Sequence, residues 1–317
     1  MKMNKNKEHY NSFNTFLKDR FGYKVYKVTL DSGCTCPNKD GTIGTNGCIF
    51  CSKDSYVMST ALNTNTNSNS NDIEANLKNG IEYVKKRHKN TGNFIVYFQK
   101  DSNTNKPADE LRQIFFRAID HPDIVGLSIA TRPDCIDDFN IELLKDLSKQ
   151  TMLIVEMGLQ TANDQHLKQL NRGHTVLDFE KTAKKLLSND IHVCAHVIIG
   201  LPDESEKEIL NTATFLNRIR ISGVKIHNLH ILKSTVMEKW YNEGKIKLLD
   251  LNTYAKLTVD FIEHLNSSII IHRVNGHAPK HITVAPEWSI NKLAILNAVN
   301  KEFARRDTWQ GKKLETQ

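Results

Sequence analysis

Three cysteines in one short segment are the residues of this 317-residue chain best suited to chemistry. Cys36, Cys48 and Cys51 lie close together in sequence, and Phe50 directly precedes the last of them. Three thiolates can bind three irons of a four-iron, four-sulfur cluster and leave the fourth iron free to bind a small molecule. Four thiolates can instead close a tetrahedral zinc site that only stabilises structure. The nearby Cys34 could be that fourth ligand, so the spacing is compatible with either kind of site.

The composition is that of a soluble globular protein, with 39% hydrophobic and 25% charged residues. No apolar run approaches the roughly 18 residues needed to cross a bilayer, and residues 1–7 lack the apolar stretch of a secretion signal. We therefore expect a cytoplasmic protein with no membrane partner. In that reducing compartment, six cysteines indicate metal or redox chemistry and not disulfides. The net charge of +7 suits a polyanionic partner such as RNA, although a mildly basic enzyme would look the same.

Alternating strand and helix patterns predict the scaffold that positions the cysteines. A helix is predicted over 8–20, a strand over 23–30 and a second helix over 73–89. Five further strand–helix pairs follow, with strands near 93–99, 124–131, 152–160, 191–199 and 224–231 and helices near 107–119, 137–149, 176–188, 204–220 and 235–242. Six β/α units with connections of this length imply a parallel sheet with right-handed crossovers, in an open sheet or in a full or partial barrel.

Polar residues inside the predicted strands favour a barrel over an open sheet. Parallel strands buried on both faces are normally almost wholly apolar. One face of four strands instead carries small or polar side chains: Tyr97 and Gln99; Ser128, Ala130 and Arg132; Glu156, Gly158 and Gln160; and His192, Cys194, His196 and Ile198. A barrel can direct such groups into a hydrated interior that receives a polar ligand. The carboxyl ends of the strands and the cysteine loop would then share one rim, where α/β folds gather reacting groups.

These patterns divide the chain into three parts. We expect an N-terminal helix over 1–22, a barrel over 23–245 that includes the cysteine loop at 31–54, and a C-terminal α/β extension over 246–317. The extension is predicted to contain a helix, a strand and a helix, over 251–265, 268–274 and 289–305. The extension could extend the sheet of the barrel by a further strand, or it could cap the barrel.

Short motifs spread over most of the chain carry a family resemblance. They lie at residues 35–41, 97–99, 130–135, 158–161, 171–174, 196–204, 224–227, 271–273 and 285–289. Together with the cysteine loop, they resemble the radical S-adenosylmethionine (SAM) superfamily. The spacing Cys-x11-Cys-x2-Cys is longer than the commonest Cys-x3-Cys-x2-Cys and narrows the resemblance to the bacterial YtqA/YhcC-type branch. Two residues depart from that branch, because Cys34 stands where an aromatic is usual and His277 where an acidic residue is usual.

The resemblance implies an α/β fold, a partial (β/α)6 TIM-like barrel with a C-terminal extension, and a radical enzyme with two cofactors, one 4Fe-4S cluster and SAM. Cys36, Cys48 and Cys51 would each bind one iron, and the open iron would bind the amino and carboxylate groups of SAM. One electron entering the sulfonium would produce a 5′-deoxyadenosyl radical, which abstracts a hydrogen from an unactivated carbon. An external one-electron reductant of the flavodoxin or ferredoxin type would supply that electron.

Seven residues are expected to contact SAM: Phe50, Gln99, Arg132, Glu156, Gln160, Ile198 and Leu201. The three apolar ones would pack on the adenine. Gln99 would bind the methionine part, and Glu156 and Gln160 would reach the ribose or the amino acid moiety. Arg132 could serve SAM or an anionic substrate, or could simply pair with Asp134.

The substrate that the resemblance implies is tRNA. The motifs at 158–161 and 171–174 are similar to the radical SAM domain of the Elongator catalytic subunit, which modifies the wobble uridine of tRNA. For the YtqA-type branch, the resemblance implies remodelling of the wobble-uridine side chain, from carboxymethylaminomethyl towards aminomethyl. Substrate contacts are expected from Asn171, Arg172, His174, Arg273 and Lys280. Two alternatives stay open: a radical SAM enzyme acting on a small molecule, and a zinc-binding nucleic-acid module without enzymatic activity.

Overall fold

A seven-stranded parallel sheet forms the frame of the molecule. The computed structural model describes residues 8–52, 72–88 and 91–314. The strands of the sheet are β1 Tyr26–Leu30, β2 Phe94–Phe98, β3 Ile124–Thr131, β4 Met152–Gln160, β5 His192–Ile199, β6 Gly223–Asn228 and β8 Ile270–Arg273. A separate antiparallel pair consists of the short strands β7 Ile231–Leu232 and β9 Thr283–Ala285. The α-helices are α1 Phe13–Phe21, α2 Ile73–Arg87, α3 Ala108–Ile119, α4 Asp138–Ser148, α5 Asp164–Gln169, α6 Val176–Leu187, α7 Glu206–Arg218, α8 Val236–Asn242, α9 Leu251–Glu263 and α10 Lys292–Arg306.

The sheet has the strand order β1-β2-β3-β4-β5-β6-β8, and each neighbouring pair is parallel. It curls into a half-barrel with helices, which confirms the predicted partial TIM-like barrel. The strand predicted over 268–274 pairs with β6 and adds a seventh strand to the sheet instead of capping it. The three-part division of the chain stays a prediction, and residues 1–7, 53–71, 89–90 and 315–317 of those parts lie outside the described residues.

Apolar side chains on both faces of the sheet explain why it forms. All nine residues of β4 and all five of β2 are buried, as expected for strands covered on both sides. Capping boxes at Thr175 and Ser205 fix the N-termini of α6 and α7. Gly80 of α2 lies directly against β1, because any Cβ at that position would collide with the side chain of Val28. None of the helices within the described residues is both long and apolar enough to cross a bilayer.

The N-terminal helix α1 closes the amino end of the barrel. Leu17 of α1 is buried in one apolar cluster with Ile95 and Cys194, which lie near the starts of β2 and β5. Phe13 stacks on His272 of β8, with ring centroids 4.1 Å apart. Since this end is filled, the barrel interior is accessible from the carboxyl ends of the strands, where the sequence predicts the reacting groups.

Candidate active site

One cavity of about 240 Å³ lies at the carboxyl ends of the strands and brings the three predicted cysteine ligands together. Cys36, Cys48 and Cys51 all line it. The other predicted residues in its lining are Phe50, Gln99, Arg132, Glu156, Gln160, Arg172, Ile198 and Arg273. Four predicted residues do not belong to the lining: Asn171, His174, Leu201 and Lys280.

Backbone hydrogen bonds give the cysteine loop a defined shape. The Cys36 carbonyl accepts from the amides three and four residues further on, at 2.8 and 3.0 Å. The Cys48 carbonyl accepts from the Cys51 amide at 2.9 Å. Gly47 turns the chain into Cys48 with a φ of 68°, a left-handed conformation that glycine adopts without steric cost. The three thiols therefore reach the cavity from an ordered turn and not from an extended linker.

Cys34 lies apart from the other three cysteines of the loop. It is buried in the main apolar core, in the same cluster as Leu30 and Leu77, and does not line the cavity. Burial raises the pKa of its thiol, which disfavours the thiolate that binds metals. Among the residues that the structure describes, no three His, Cys, Asp or Glu side chains lie close enough to share a single metal ion, as a zinc site requires. The fold thus presents three cavity cysteines and keeps the fourth in the core.

Arg172 donates to the thiol of Cys48. Its Nη1 lies 3.3 Å from Cys48 Sγ, and Asn38 Nδ2 lies 3.6 Å from the same sulfur. The guanidinium is held in place by the Gly158 carbonyl, which accepts from Nη2 at 3.0 Å, and by Nε2 of His174, which accepts at 3.0 and 3.2 Å. A charge-assisted donor stabilises a thiolate, so the surroundings of Cys48 fit a sulfur that binds iron.

The loop that follows α5 braces the cysteine loop. Asn38 donates to the Asn171 carbonyl at 2.6 Å, and the Asn171 amide group donates back to the Gly47 carbonyl at 2.7 Å. Burial and the charge of Arg172 lower the pKa of His174 to about 3, so its neutral ring can accept from that guanidinium. The sequence predicts substrate contacts for Asn171 and His174, but the structure places both outside the cavity lining, beside the cysteine loop and its supporting arginine.

Glu156, in the middle of β4, is the centre of a buried polar network. Its carboxylate receives one donor from each of the strands β1, β2, β3, β5 and β6: Lys27, Tyr97, Ser128, His196 and Lys225. The first four donor atoms lie 2.7–2.8 Å from a carboxylate oxygen. Burial would raise the pKa of Glu156, but the charges of Lys225 and Lys27 hold it well below its usual range. One carboxylate therefore ties six strands together, and its predicted contact with SAM stays a prediction.

Sequence reasoning missed Lys27 and Lys225 as site residues. Lys225 is only 4% exposed, and burial lowers its pKa to about 7. The signal was present in the sequence, because a lysine between Val224 and Ile226 in a buried strand must find a buried partner. The strand pattern shows that Glu156 faces the interior, but it does not show that Lys225 would meet it there.

The residues predicted to contact adenine do lie together. Phe50, Ile198 and Leu201 belong to one apolar cluster that also contains Ile49 and Leu229. Phe50 and Ile198 line the cavity, while Leu201 lies behind them. The cavity therefore has one apolar wall next to the cysteine loop, of the kind that a flat aromatic ring can pack against.

The close packing of side chains at the end of β4 requires a glycine at position 158. A Cβ at Gly158 would lie 2.7 Å from Gln160 Nε2 and 2.8 Å from Arg172 Nη2, so only glycine lets both side chains approach this closely. Gln160 itself has a φ of 74°, an uncommon conformation for a residue other than glycine. This local strain accompanies a side chain that lines the cavity, as is frequent at functional sites.

Arg132 pairs with Asp134, one of the alternatives that the sequence left open. Arg132 Nη2 lies 2.8 Å from Asp134 Oδ2 and donates to the Arg172 carbonyl at 2.6 Å. Its Nη1 is buried and has no partner within the described residues. Arg273 is the last residue of β8 and lines the cavity, whereas Lys280 is exposed and lies outside the lining.

Comparisons with known proteins match almost the entire chain. A family model described as Radical SAM superfamily matches residues 40–216, and one described as Radical_SAM C-terminal domain matches residues 221–305. The protein named Uncharacterized protein YtqA from Bacillus subtilis is 38% identical over 96% of this chain and 92% of its own length. A tRNA uridine(34) acetyltransferase from Dehalococcoides mccartyi is 30% identical over 49% of this chain and 34% of its own length.

Among solved structures, Elp3 from the archaeon Methanocaldococcus infernus superposes with a TM-score of 0.68 at 16% identity. The superposition covers 90% of this chain and 64% of that longer chain. At this identity the likeness shows the fold alone.

Proposed function

The chain belongs to the radical SAM superfamily, and we propose that Cys36, Cys48 and Cys51 hold a 4Fe-4S cluster whose fourth iron is open to SAM. Membership of the superfamily implies both cofactors and a one-electron reductant, for which a flavodoxin or ferredoxin is our proposal. One observation carries the proposed ligand set: the three cysteines line a common cavity, while Cys34 lies in the apolar core.

Bound SAM supplies, after one-electron reduction, a 5′-deoxyadenosyl radical for hydrogen abstraction. We place its adenine against the apolar wall of Phe50 and Ile198 and its methionine part near Gln99, with Gln160 at the ribose or the amino acid moiety. These assignments rest on the shared cavity lining. Because α1 packs against the amino end of the barrel, the described residues leave the cavity open towards the carboxyl ends of the strands. A substrate bound there would exclude water, which protects a radical from side reactions.

We propose that the substrate is the wobble uridine of tRNA. The name of the partial relative from Dehalococcoides mccartyi concerns uridine 34 of tRNA, and the similarity to it spans 158 residues of sequence. The cavity lining supports an anionic substrate, because it contains three arginines: Arg132, Arg172 and Arg273. The net charge of +7 also suits a nucleic-acid backbone.

The step we propose converts a carboxymethylaminomethyl side chain into aminomethyl. Hydrogen abstraction from the carbon between nitrogen and carboxylate, loss of one further electron and hydrolysis of the resulting C=N bond would release glyoxylate. The substrate loses two electrons in total. SAM takes up two electrons when it becomes methionine and 5′-deoxyadenosine, one at its cleavage and one with the hydrogen atom from the substrate. The second electron of the substrate would return to the oxidised cluster and replace the one used to cleave SAM, so the step needs no further oxidant.

The modified nucleosides present in cellular tRNA test this proposal directly. A strain without the gene should accumulate carboxymethylaminomethyl uridine and lose side chains derived from aminomethyl uridine, as measured by mass spectrometry of tRNA nucleosides. A wild-type copy of the gene should restore the profile, and a Cys36→Ala copy should not. An unchanged profile in the deletion strain would remove tRNA as the substrate. If the purified protein still cleaved SAM, a small-molecule substrate would then be the better assignment.

Arg172→Gln should lower the reduction potential of the cluster. Arg172 places a positive charge 3.3 Å from Cys48 Sγ, and such a charge favours the reduced, more negative cluster. Loss of a charge-assisted hydrogen bond of about 1.5–3 kcal/mol corresponds to a decrease of roughly 60–130 mV for one electron. A redox titration followed by electron paramagnetic resonance measures this shift. Arg172→Lys should shift the potential less, and Arg112→Gln on the surface should not shift it. An unchanged potential in Arg172→Gln would show that the contact with Cys48 does not tune the cluster.

A further inference from the structure

Among the residues that the structure describes, Arg273 differs from the other lysine and arginine side chains of the cavity in having neither a carboxylate nor a thiol partner. The other three are paired with a carboxylate or a thiol: Lys39 with Asp101, Arg132 with Asp134, and Arg172 with Cys48. Across the described ranges of the chain, the only hydrogen-bond partner of the Arg273 guanidinium is His227, whose two ring nitrogens lie 3.1 and 3.2 Å from Nη2. The Nε of Arg273 is buried and has no partner there. A charge in this position lacks compensation from the protein.

The groups around Arg273 cannot supply the missing negative charge. Burial, followed by the charge of Arg273, holds the pKa of His227 well below its usual range. Burial and the same charge lower the pKa of His230 to about 4. Burial and the charges of Lys292 and Arg273 also lower the pKa of His277. The three histidines are therefore neutral at pH 7 and add no charge to compensate that of Arg273.

Arg273 and the cysteine loop reach the cavity from different strands. β8, which carries Arg273, is the last strand of the sheet, whereas β1, which leads into the cysteine loop, is the first. Arg273 and the three cysteines Cys36, Cys48 and Cys51 line the same cavity. The segment after β8 lies close to this cavity, since a Cβ at Gly276 would be 2.7 Å from His230 Nε2. The part of the cavity next to β8 thus contains one guanidinium without a counter-charge from the described residues.

We propose that Arg273 binds the carboxylate of the substrate side chain in the part of the cavity next to β8. The inference rests on the proposed function for the identity of the substrate. A guanidinium binds a carboxylate through two parallel hydrogen bonds, which fixes its orientation as well as its position. The carbon next to an anchored carboxylate is then held in one place for hydrogen abstraction. The carboxylate of the side chain is bound here, and the carboxylate of SAM is bound next to the cysteine loop.

The equilibrium binding of RNA to the cluster-loaded protein, measured in the presence of SAM, tests this assignment. Two anticodon stem-loop RNAs are used that differ only at the wobble uridine, with a carboxymethylaminomethyl or an aminomethyl side chain. The wild-type protein should bind the carboxylate-bearing RNA roughly ten- to a hundredfold more tightly. Arg273→Gln should bind both RNAs equally. Arg112→Gln, which changes an exposed residue outside the cavity, should keep the preference.

Additional binding measurements distinguish failure of the Arg273 assignment from failure of the tRNA proposal. SAM affinity should be the same in Arg273→Gln and in the wild type, and a loss would assign Arg273 to the SAM carboxylate and overturn the proposal. A wild-type protein that binds both RNAs equally would also overturn it. If neither RNA binds, the tRNA proposal fails, and titration with N-methylglycine and with methylamine decides about the subsite alone. Binding of N-methylglycine but not of methylamine by the wild type supports the subsite, and binding of neither overturns it.

Discussion

Replacing Cys36 with alanine should remove the iron–sulfur cluster, whereas replacing Cys34 should leave it in place. The two cysteines are only two residues apart, but Cys36 lines the cavity and Cys34 is buried in the apolar core. Anaerobically purified wild-type and Cys34→Ala proteins should be brown and contain about four irons and four sulfides per chain. Cys36→Ala should contain almost none and should not cleave SAM on reduction.

Folding controls decide how this result is interpreted. Cys34→Ala should lower the free energy of unfolding by about 1 kcal/mol, because it removes a buried sulfur from a packed core. The Cys36→Ala protein should keep the circular dichroism of the wild type, since the sheet is built without the cysteine side chains. If Cys34→Ala lost the cluster and Cys36→Ala kept it, the proposed ligand set would be wrong. A colourless wild-type protein with one zinc per chain would contradict the cluster itself.

The strand pattern predicted the interior of the barrel correctly because side chains alternate strictly along a strand. Tyr97, Glu156 and His196 fall in the inward phase of their strands, and the structure brings all three into one network. The alternation does not reveal which inward side chains meet, because this depends on the register between strands. The pairing of Glu156 with Ala130 on one side and with Cys194 on the other sets which donors reach its carboxylate. Lys225 could therefore be recognised as a buried lysine but not as the partner of Glu156.

The cysteine loop shows a second limit of sequence reasoning. Its supporting contacts come from residues more than a hundred positions away, such as Asn171 to Gly47 and Arg172 to Cys48. No local pattern encodes such contacts. A charged turn that supports a metal loop looks, in sequence, like a charged turn that meets a substrate. The same limit applies to Cys34, since only the packing of the loop against the core separates its thiol from the thiols of the cavity.

Replacing Glu156 with alanine should lower the free energy of unfolding by about 3–5 kcal/mol, because it leaves buried cations without their counter-charge. Lys225 is 4% exposed and has no other carboxylate among its described partners. Urea unfolding followed by tryptophan fluorescence measures the loss. Glu142→Ala, which breaks an exposed pair with Lys145, should change stability by no more than about 0.5 kcal/mol. A loss in Glu156→Ala as small as in this control would show that the network does not stabilise the barrel.

The pH dependence of the same variant identifies Lys225 as the source of the loss. In the wild type, the depressed pKa of Glu156 contributes stability above about pH 4.5, and this contribution is lost as the pH falls through its folded pKa. In Glu156→Ala, the pKa of Lys225 falls below its wild-type value of about 7 because Glu156 no longer raises it, so the stability of the variant starts to rise at a lower pH than that of the wild type. The deficit should therefore be smaller at pH 9, where Lys225 is neutral in both folded proteins, than at pH 5.5. Adding Lys225→Met should recover part of the stability and abolish this pH dependence, whereas strictly additive losses would mean that the two residues are not coupled.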